Sequence, residues 1–412
     1  MRERKTVVLA YSGGLDTSAI LVWLNRVKQM DVIAYCCDVG NLPEQEQLRS
    51  RAMELGAKQF IFEDLKQVYL QRFVMPLLRA GAKYQSQYLL GTAIARPLMA
   101  ERIAWFAKEY GADAIAHGAT GKGNDQIRFE RSWAYLCPDI ELIAPWKEWS
   151  FGGRKDLVQY MEEQGFPVAS TTRPRFSEDV NLFHRSCEGH ELEDITSPYA
   201  AHEVLDWIST TMHEDQEVHR LEFVAGTLTK WNETVIDASN DVVMYDALNG
   251  RAAHFGLGCL DMVEDRVNGI KSRGIYETPA GVVLDYALQQ LRQLCYSKDQ
   301  GRIATQMAME FAELIYAGEW HSMAAQGVRA YFEQVCQTLT GSVELQFNWK
   351  QMRVRGREST HSLYRPAMMS FEEDPYGFHH ASEGFSKTLR YRSWLEGQVS
   401  QQGTSAASKG EG

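Results

Sequence analysis

Cysteine is sparse in this chain: seven residues in 412, an odd and scattered set without CxxC spacing. That argues against a disulfide framework and against a zinc site. Adjacent Cys36 and Cys37, at the end of an apolar run, are expected to be small buried packing residues rather than redox groups. No uninterrupted apolar stretch reaches membrane-spanning length, and the start, Met-Arg-Glu-Arg-Lys-Thr, carries no apolar signal region. The expectation is a cytoplasmic protein with no membrane partner. Basic charge is also in deficit. Lys and Arg number 43 against 54 Asp and Glu, a formal net charge of −11, so no nucleic-acid partner is expected, because neutralising phosphates takes a basic surface. Apolar residues are plentiful at 44%. The length then points to two or three structural units around ordinary cores.

A local absence is more informative. The segment Val7 to Ser18, Val-Val-Leu-Ala-Tyr-Ser-Gly-Gly-Leu-Asp-Thr-Ser, has the form of an apolar strand, a glycine-paired loop and a helix expected from Ala19. Such a loop lets backbone N–H groups and the hydroxyls of Ser12, Thr17 and Ser18 converge on an anion at the positive end of a helix. Yet no lysine stands between Lys5 and Lys28, which excludes a Walker A loop, and the glycine spacing is wrong for a dinucleotide fingerprint.

Around this loop the chain alternates strand and helix. Val7–Ala10, Val32–Cys37 and Ala114–His117 are expected strands, and Ala19–Lys28, Glu44–Leu55, Leu65–Leu78 and Arg96–Tyr110 expected helices. That is an α/β pattern: a doubly wound parallel sheet with ligands at the carboxyl ends of its strands. From about Thr171 the pattern becomes α+β, with hairpins at Arg220–Thr229 and Val343–Val354 and helices at Tyr286–Leu294, Ala304–Ala317 and Met323–Leu339. We expect a nucleotide-binding domain over 1–170, a second domain over 171–363, and a C-terminal arm over 364–412 with one helix near Phe385–Leu395 and a disordered tail from Ser400.

A second glycine-rich segment, His117-Gly-Ala-Thr-Gly-Lys-Gly-Asn-Asp-Gln-Ile-Arg128, follows an apolar strand directly. Its glycines allow close backbone approach, while Thr120, Asn124, Asp125 and Arg128 supply a hydroxyl, an amide, a carboxylate and a fixed cation. A helix starting near Asn124 would put Arg128 on the same face, suited to a carboxylate-bearing substrate.

The loop Ser-Gly-Gly-Leu-Asp-Thr-Ser resembles the pyrophosphatase loop of the N-type ATP pyrophosphatases, whose fold is adenine-nucleotide-α-hydrolase-like. Further matches run in order to about residue 364: Tyr88-Leu-Leu-Gly-Thr-Ala-Ile-Ala-Arg-Pro97, His117–Glu130, Ile-Ala-Pro-Trp146, Gly269-Ile-Lys-Ser-Arg-Gly-Ile-Tyr-Glu-Thr-Pro279, Phe311-Ala-Glu-Leu-Ile-Tyr316 and Gly356-Arg-Glu-Ser359. Together they resemble the argininosuccinate synthase family. The resemblance implies ligation of citrulline to aspartate with ATP and Mg²⁺, through a citrullyl-adenylate, releasing AMP and pyrophosphate. It implies that Ala10, Tyr11, Ser12, Gly13, Gly14, Leu15, Asp16, Thr17 and Ser18 bind ATP, that Asp16 meets the metal, and that Cys37 and Gly118 flank the adenosine. Thr120, Asn124 and Asp125 match aspartate-binding positions; Tyr88, Thr92, Asn124, Arg128, Ser177, Ser186, Glu264 and Tyr276 match citrulline-binding ones. Asp16, Asp125 and Arg128 are the expected catalytic residues, no dedicated protein metal site is expected, and the assembly implied is a homotetramer held by the C-terminal arm.

Read without the family, Ser177 is an N-cap, Tyr276 a core tyrosine, Glu264 a surface ion pair with Arg266, Lys271–Arg273 a basic turn, and His379-His380 plain surface. The chain also departs from the family's pattern. Asn41 follows Gly40 where relatives carry glutamine, Ala93 lacks a hydroxyl found in some, and Cys259 and Asp265 remove a cation and add an anion near Glu264. The alternative these departures raise is a paralogous adenylating carbon–nitrogen ligase with another ureido or amide substrate.

Overall fold

The computed structural model describes residues 4–40, 44–121, 123–168, 175–196, 198–370, 372 and 374–407. Asn41 and the boundary expected at residue 170 lie outside them. The chain forms two compact units, Met1–His361 and Ser362–Gly412.

In the first unit the strands are, in order, β1 Thr6–Ala10, β2 Asp31–Asp38, β3 Gln59–Asp64, β4 Ala114–Ala116, β5 Glu141–Ile143, β6 Ser177–Val180, β7 Arg185–Glu188, β8 Glu217–Val224, β9 Thr227–Trp231, β10 Thr234–Val235, β11 Cys259–Asp265, β12 Lys271–Glu277, β13 Gly341–Asn348 and β14 Gln351–Glu358. The first five make an all-parallel sheet of order β3-β2-β1-β4-β5. Its strands are buried on both faces, which is why they appear as continuous apolar runs. Val7, Leu9, Val32, Ala34 and Cys36 face one core with Ile20, Leu21 and Leu24 of the helix Leu15–Arg26. Val8, Ile33, Tyr35 and Cys37 face the other, against the helix Gly91–Glu109. Cys36 and Cys37 therefore point to opposite faces, as neighbours in a strand must. Burial pushes both thiols up to about 12, so each is an inert packing residue.

The strand order reverses between β1 and β4, so the connections leaving these two strands run to opposite faces of the sheet and open a crevice at their carboxyl ends. Two antiparallel sheets follow, β10-β9-β8-β13-β14 and β11-β12-β7-β6. The expected hairpins correspond to β8/β9 and β13/β14. The expected helices in this region correspond to Pro279–Cys295, Lys298–Tyr316 and Met323–Val335.

Several boundaries differ from the expectation. The first helix begins at Leu15 rather than Ala19, because Gly14, extended at φ −70° and ψ 170°, is already its N-cap; Asp16 is thus in the first turn, where a helix favours an anion. The helix expected from Arg96 begins at Gly91 and carries Pro97 in its interior. Leu65–Leu78 is observed as Lys66–Ala80, with a π turn at Leu70–Val74. Ser177 opens a strand, not a helix, and Lys271–Arg273 lie in β12 rather than in a turn.

The second unit holds a short helix Pro366–Met369 and a long one, Phe378–Ala407. The long helix takes in Ser400–Ala407, expected as disordered; residues 408–412 lie outside the described set. Phe385, Leu389, Trp394 and Leu395 are exposed on it.

Candidate active site

The loop leaving β1 is held by its own hydroxyls. Thr17 Oγ1 lies 3.1 Å from Ser12 Oγ, accepts from the Ser12 N–H at 3.3 Å and donates to the Gly14 carbonyl at 3.3 Å. Gly13 turns the chain at φ +77°, with its α-carbon so close to Leu48 that a Cβ would sit 2.4 Å from that side chain. No side chain caps the helix that follows. Its first-turn N–H groups are thus left to a ligand, at the end where the helix dipole attracts negative charge. Burial raises the Asp16 carboxyl on this turn, against the pull of its own backbone amide and of Arg154.

The loop leaving β4 lies alongside. Ala119 N–H donates to His117 Nδ1 at 3.2 Å, and a Cβ on Gly118 would meet Thr17 Cγ2 at 2.9 Å, so only glycine lets the two loops close up. The helix Asn124–Leu136 then starts on Gly123, again without a side-chain cap. From its first two turns come Asn124, Asp125 and Arg128. Arg128 is buried, 3% exposed, and donates from Nη1 to Asp125 Oδ1 at 2.8 Å and from Nε to the Tyr316 carbonyl at 3.1 Å.

The third wall is the face of the β11-β12-β7-β6 sheet. Cross-strand pairing sets Asp179 opposite Ser186 and Ser186 opposite Tyr276; Ser177 faces Glu188, and Glu264 faces Ser272. Because side chains alternate along a strand, these residues share one face. The other face is apolar, packing Phe176, Cys187, Leu192, Val204 and Ile275. On it Glu277 is fully buried, paired with Arg185 and accepting from the N–H groups of Asp206, Trp207 and Ile208.

These walls enclose one cavity of about 700 Å³. It is lined by Ala10, Tyr11, Ser12, Asp16, Thr17, Cys37 and Gly118 of the expected nucleotide set. Every residue expected to bind an amino acid also lines it: Tyr88, Thr92, Thr120, Asn124, Asp125, Arg128, Ser177, Ser186, Glu264 and Tyr276. Gly13, Gly14, Leu15 and Ser18 do not. The two glycines shape the turn, Leu15 packs on the core, and Ser18 is buried beneath the loop, so its hydroxyl does not join the others.

Glu264 is no surface ion pair: it is 5% exposed and accepts from Tyr316 OH at 2.8 Å, while Arg266 donates to Glu188 at 3.1 Å. Burial raises its carboxyl, with Tyr316 and Arg128 pulling the other way. Cys259 and Asp265 lie outside the cavity lining. Cys259 is exposed at the start of β11, and Asp265 is taken up by Lys271 and Gln85, each at 2.6 Å.

The cavity also holds groups that the sequence reading missed. Arg96 donates to Asp125 Oδ2 at 2.9 Å and reaches Asp179 Oδ1 at 3.0 Å. Asp125 is therefore gripped on both oxygens. Burial raises its carboxyl, but the two guanidinium groups outweigh that and hold it below the usual range. Arg96 did carry a signal. Thr92, Arg96, Met99 and Ile103 recur at helical spacing, and all four line the cavity. Asp179 and Glu188 stand two residues from Ser177 and Ser186, a spacing that matters only once the segment is known to be strand.

Residues 6–167 match the family model described as the arginosuccinate synthase N-terminal HUP domain, and residues 176–394 the arginosuccinate synthase C-terminal domain. Among curated proteins, the chain is 39% identical over 390 residues to the argininosuccinate synthase of Leptospira biflexa, covering 93% of this chain and 96% of that one. It is 40% identical over 380 residues to that of Carboxydothermus hydrogenoformans, covering 92% and 94%. Against the chloroplastic argininosuccinate synthase of Arabidopsis thaliana it is 39% identical over 370 residues, covering 89% and 74%.

Proposed function

The chain belongs to the argininosuccinate synthase family, which ligates citrulline to aspartate with ATP in arginine biosynthesis, and from that premise we propose how its residues divide the reaction. One observation carries the assignment: an uncapped helix start at the β1/β4 switch point shares a cavity with a partly buried arginine–aspartate–arginine chain and with the buried carboxylate of Glu264.

ATP lies with its β- and γ-phosphates over Ser12–Thr17 and its adenosine between Cys37 and Gly118, and Mg²⁺ arrives with it. Asp16 would hold the metal, since a nearby cation would relieve the burial that disfavours its charge, and the metal would neutralise the leaving group. Arg128 has its Nη2 edge unused among the described residues and meets the citrulline carboxylate, while Glu264 meets the ammonium group. Tyr88, Thr92, Asn124, Ser177, Ser186 and Tyr276 surround the remainder of the citrulline, with Asn124 between the two amino acids. Its ureido oxygen attacks the α-phosphorus, and pyrophosphate leaves. Thr120, Asn124 and Asp125 hold aspartate. Its amine, once deprotonated to solvent, attacks the ureido carbon and AMP leaves. Asp125 serves as a fixed anion, not a base, since both its oxygens are engaged by guanidinium groups. No side chain forms a covalent bond, so rate comes from positioning and charge stabilisation.

Incubation with ATP, Mg²⁺, citrulline and aspartate should yield AMP, pyrophosphate and argininosuccinate; ADP as the product would overturn α-phosphate chemistry. We further assign the nucleotide domain to 1–170, the synthetase domain to 171–363, and a homotetramerising arm to 364–412. The protein is assigned to the cytoplasm, with small-molecule substrates and no nucleic-acid or membrane partner. No helix among the described residues is long and apolar enough to cross a membrane. Exposed Phe385, Leu389, Trp394 and Leu395 support the arm's role. Its deletion should lower the mass seen by light scattering.

A further inference from the structure

Tyr316, the last residue of the helix Lys298–Tyr316, is 2% exposed and lies outside the cavity lining. Its phenol is nevertheless the junction between two walls of the site. The hydroxyl accepts from Asn124 Nδ2 at 2.9 Å and donates to Glu264 Oε1 at 2.8 Å. The Asn124 side chain is fixed at its other end, where Oδ1 accepts from the Val267 N–H at 3.0 Å. The ring is stacked on Tyr84 at 3.6 Å with planes 5° apart, and the Arg128 guanidinium lies 5.0 Å from its centroid. The same residue's carbonyl, one of those a helix end leaves unpaired, accepts from Arg128 Nε. Two residues on, Gly318 turns away at φ +80°, where a Cβ would stand 2.6 Å from the Arg128 Cα. Backbone and side chain thus lock Tyr316 against the helix carrying Asn124 and Arg128.

The consequence falls on Glu264. Tyr316 occupies Oε1, while Oε2 is buried with no hydrogen bond of normal geometry among the described residues, although the Tyr276 hydroxyl is near enough to favour the charged carboxyl. A buried carboxylate oxygen left bare is costly unless a ligand satisfies it. With Glu264 lining the cavity, the group it suits is an ammonium.

We propose that Tyr316 is a positioning residue for citrulline: it fixes Asn124, Arg128 and the Oε1 edge of Glu264 so that Oε2 receives the α-ammonium group. This rests on the citrulline assignment above. The experiment is Tyr316→Phe in the full-length protein, with steady-state pyrophosphate release measured while each substrate is varied. Wild-type turnover with citrulline and aspartate is established first; its absence defeats the citrulline assignment, not the positioning role.

In the variant the KM for citrulline should rise about ten- to a hundredfold, the size of a lost hydrogen bond to a charged group, while the KM for ATP stays near wild type and that for aspartate, which also meets Asn124, rises less than that for citrulline. The acid limb of kcat/KM for citrulline should also move to higher pH, because the phenol stabilises the ionised carboxyl. A purely structural role would weaken all three substrates alike and leave that limb in place, and either outcome overturns the proposal. Glu264→Gln and the double variant supply the second test. If Tyr316 acts through Glu264, the two losses are strongly non-additive; additive losses refute it.

Discussion

Arg96→Met tests the arrangement of the site most sharply, because Arg96 ties the helix carrying Asp125 to the strand carrying Asp179. It contacts Asp125 and Asp179 at 2.8–3.0 Å with only 13% of its side chain exposed. Methionine keeps most of the volume but, among the described residues, leaves Asp125 with Arg128 as its sole ion pair and Asp179 with no cation in contact. Breaking a fully buried pair by removing one partner costs about 3–5 kcal/mol; with both carboxylates more than a quarter exposed, solvent screening brings the loss here to about 1–3 kcal/mol. Stability should fall by that order in denaturant unfolding. Misplacing Asp125 should lower kcat/KM for aspartate by about a hundredfold.

The pH dependence gives an independent check. In the native protein Asp125 is held below the ordinary carboxylate range, so the stability it contributes is present above that range and is lost as pH falls. Without Arg96 the folded carboxyl rises towards its unfolded value, so this pH-dependent contribution should shrink, and the acid limb for aspartate should move upward. Arg96→Lys should recover only part of the effect, since a point charge cannot fork between two carboxylates. Wild-type aspartate kinetics with an unshifted acid limb in Arg96→Met would refute this account.

Gly118→Ala drives a Cβ to 2.9 Å from Thr17 and 3.3 Å from Ile20; it should cost about 1–3 kcal/mol and raise the KM for ATP well before that for either amino acid. Burial holds His184 down to about 4, between Thr92 and Thr278. The unfolded imidazole takes its proton first, so the contribution of His184 is present above about 6.5 and is lost as pH falls from there towards about 4. Thermal melts of His184→Gln should show a flatter acid slope than wild type. Asp265→Asn and Cys259→Arg should each leave the KM for citrulline within about twofold, as expected of positions outside the cavity lining; a larger change would restore the idea that these departures retune selectivity.

The loop at Ser12–Thr17 was recognisable in sequence because its chemistry is local: paired glycines, clustered hydroxyls and a following helix are consecutive in the chain, and the absence of a nearby lysine is equally visible. The doubly wound domain was recognisable for a related reason, since strands buried on both faces leave unbroken apolar runs. The sheet of β6, β7, β11 and β12 was not. Its cavity face is polar and its strands are short and mixed in character, so Ser177 resembles a helix cap and Glu264 a surface acid until pairing sets both on one wall. Sequence by itself therefore determined the glycine-paired loop, the α/β class and, through motif resemblance, most of the residues that line the cavity. Only the tertiary structure decided that Arg96 grips Asp125 and Asp179, that Tyr316 joins Asn124 to Glu264, and that Asp265 is spent on Lys271 and Gln85. The reason is physical: a buried charge is specified by partners tens to hundreds of residues away, and composition and spacing along the chain carry no record of which partner is in contact.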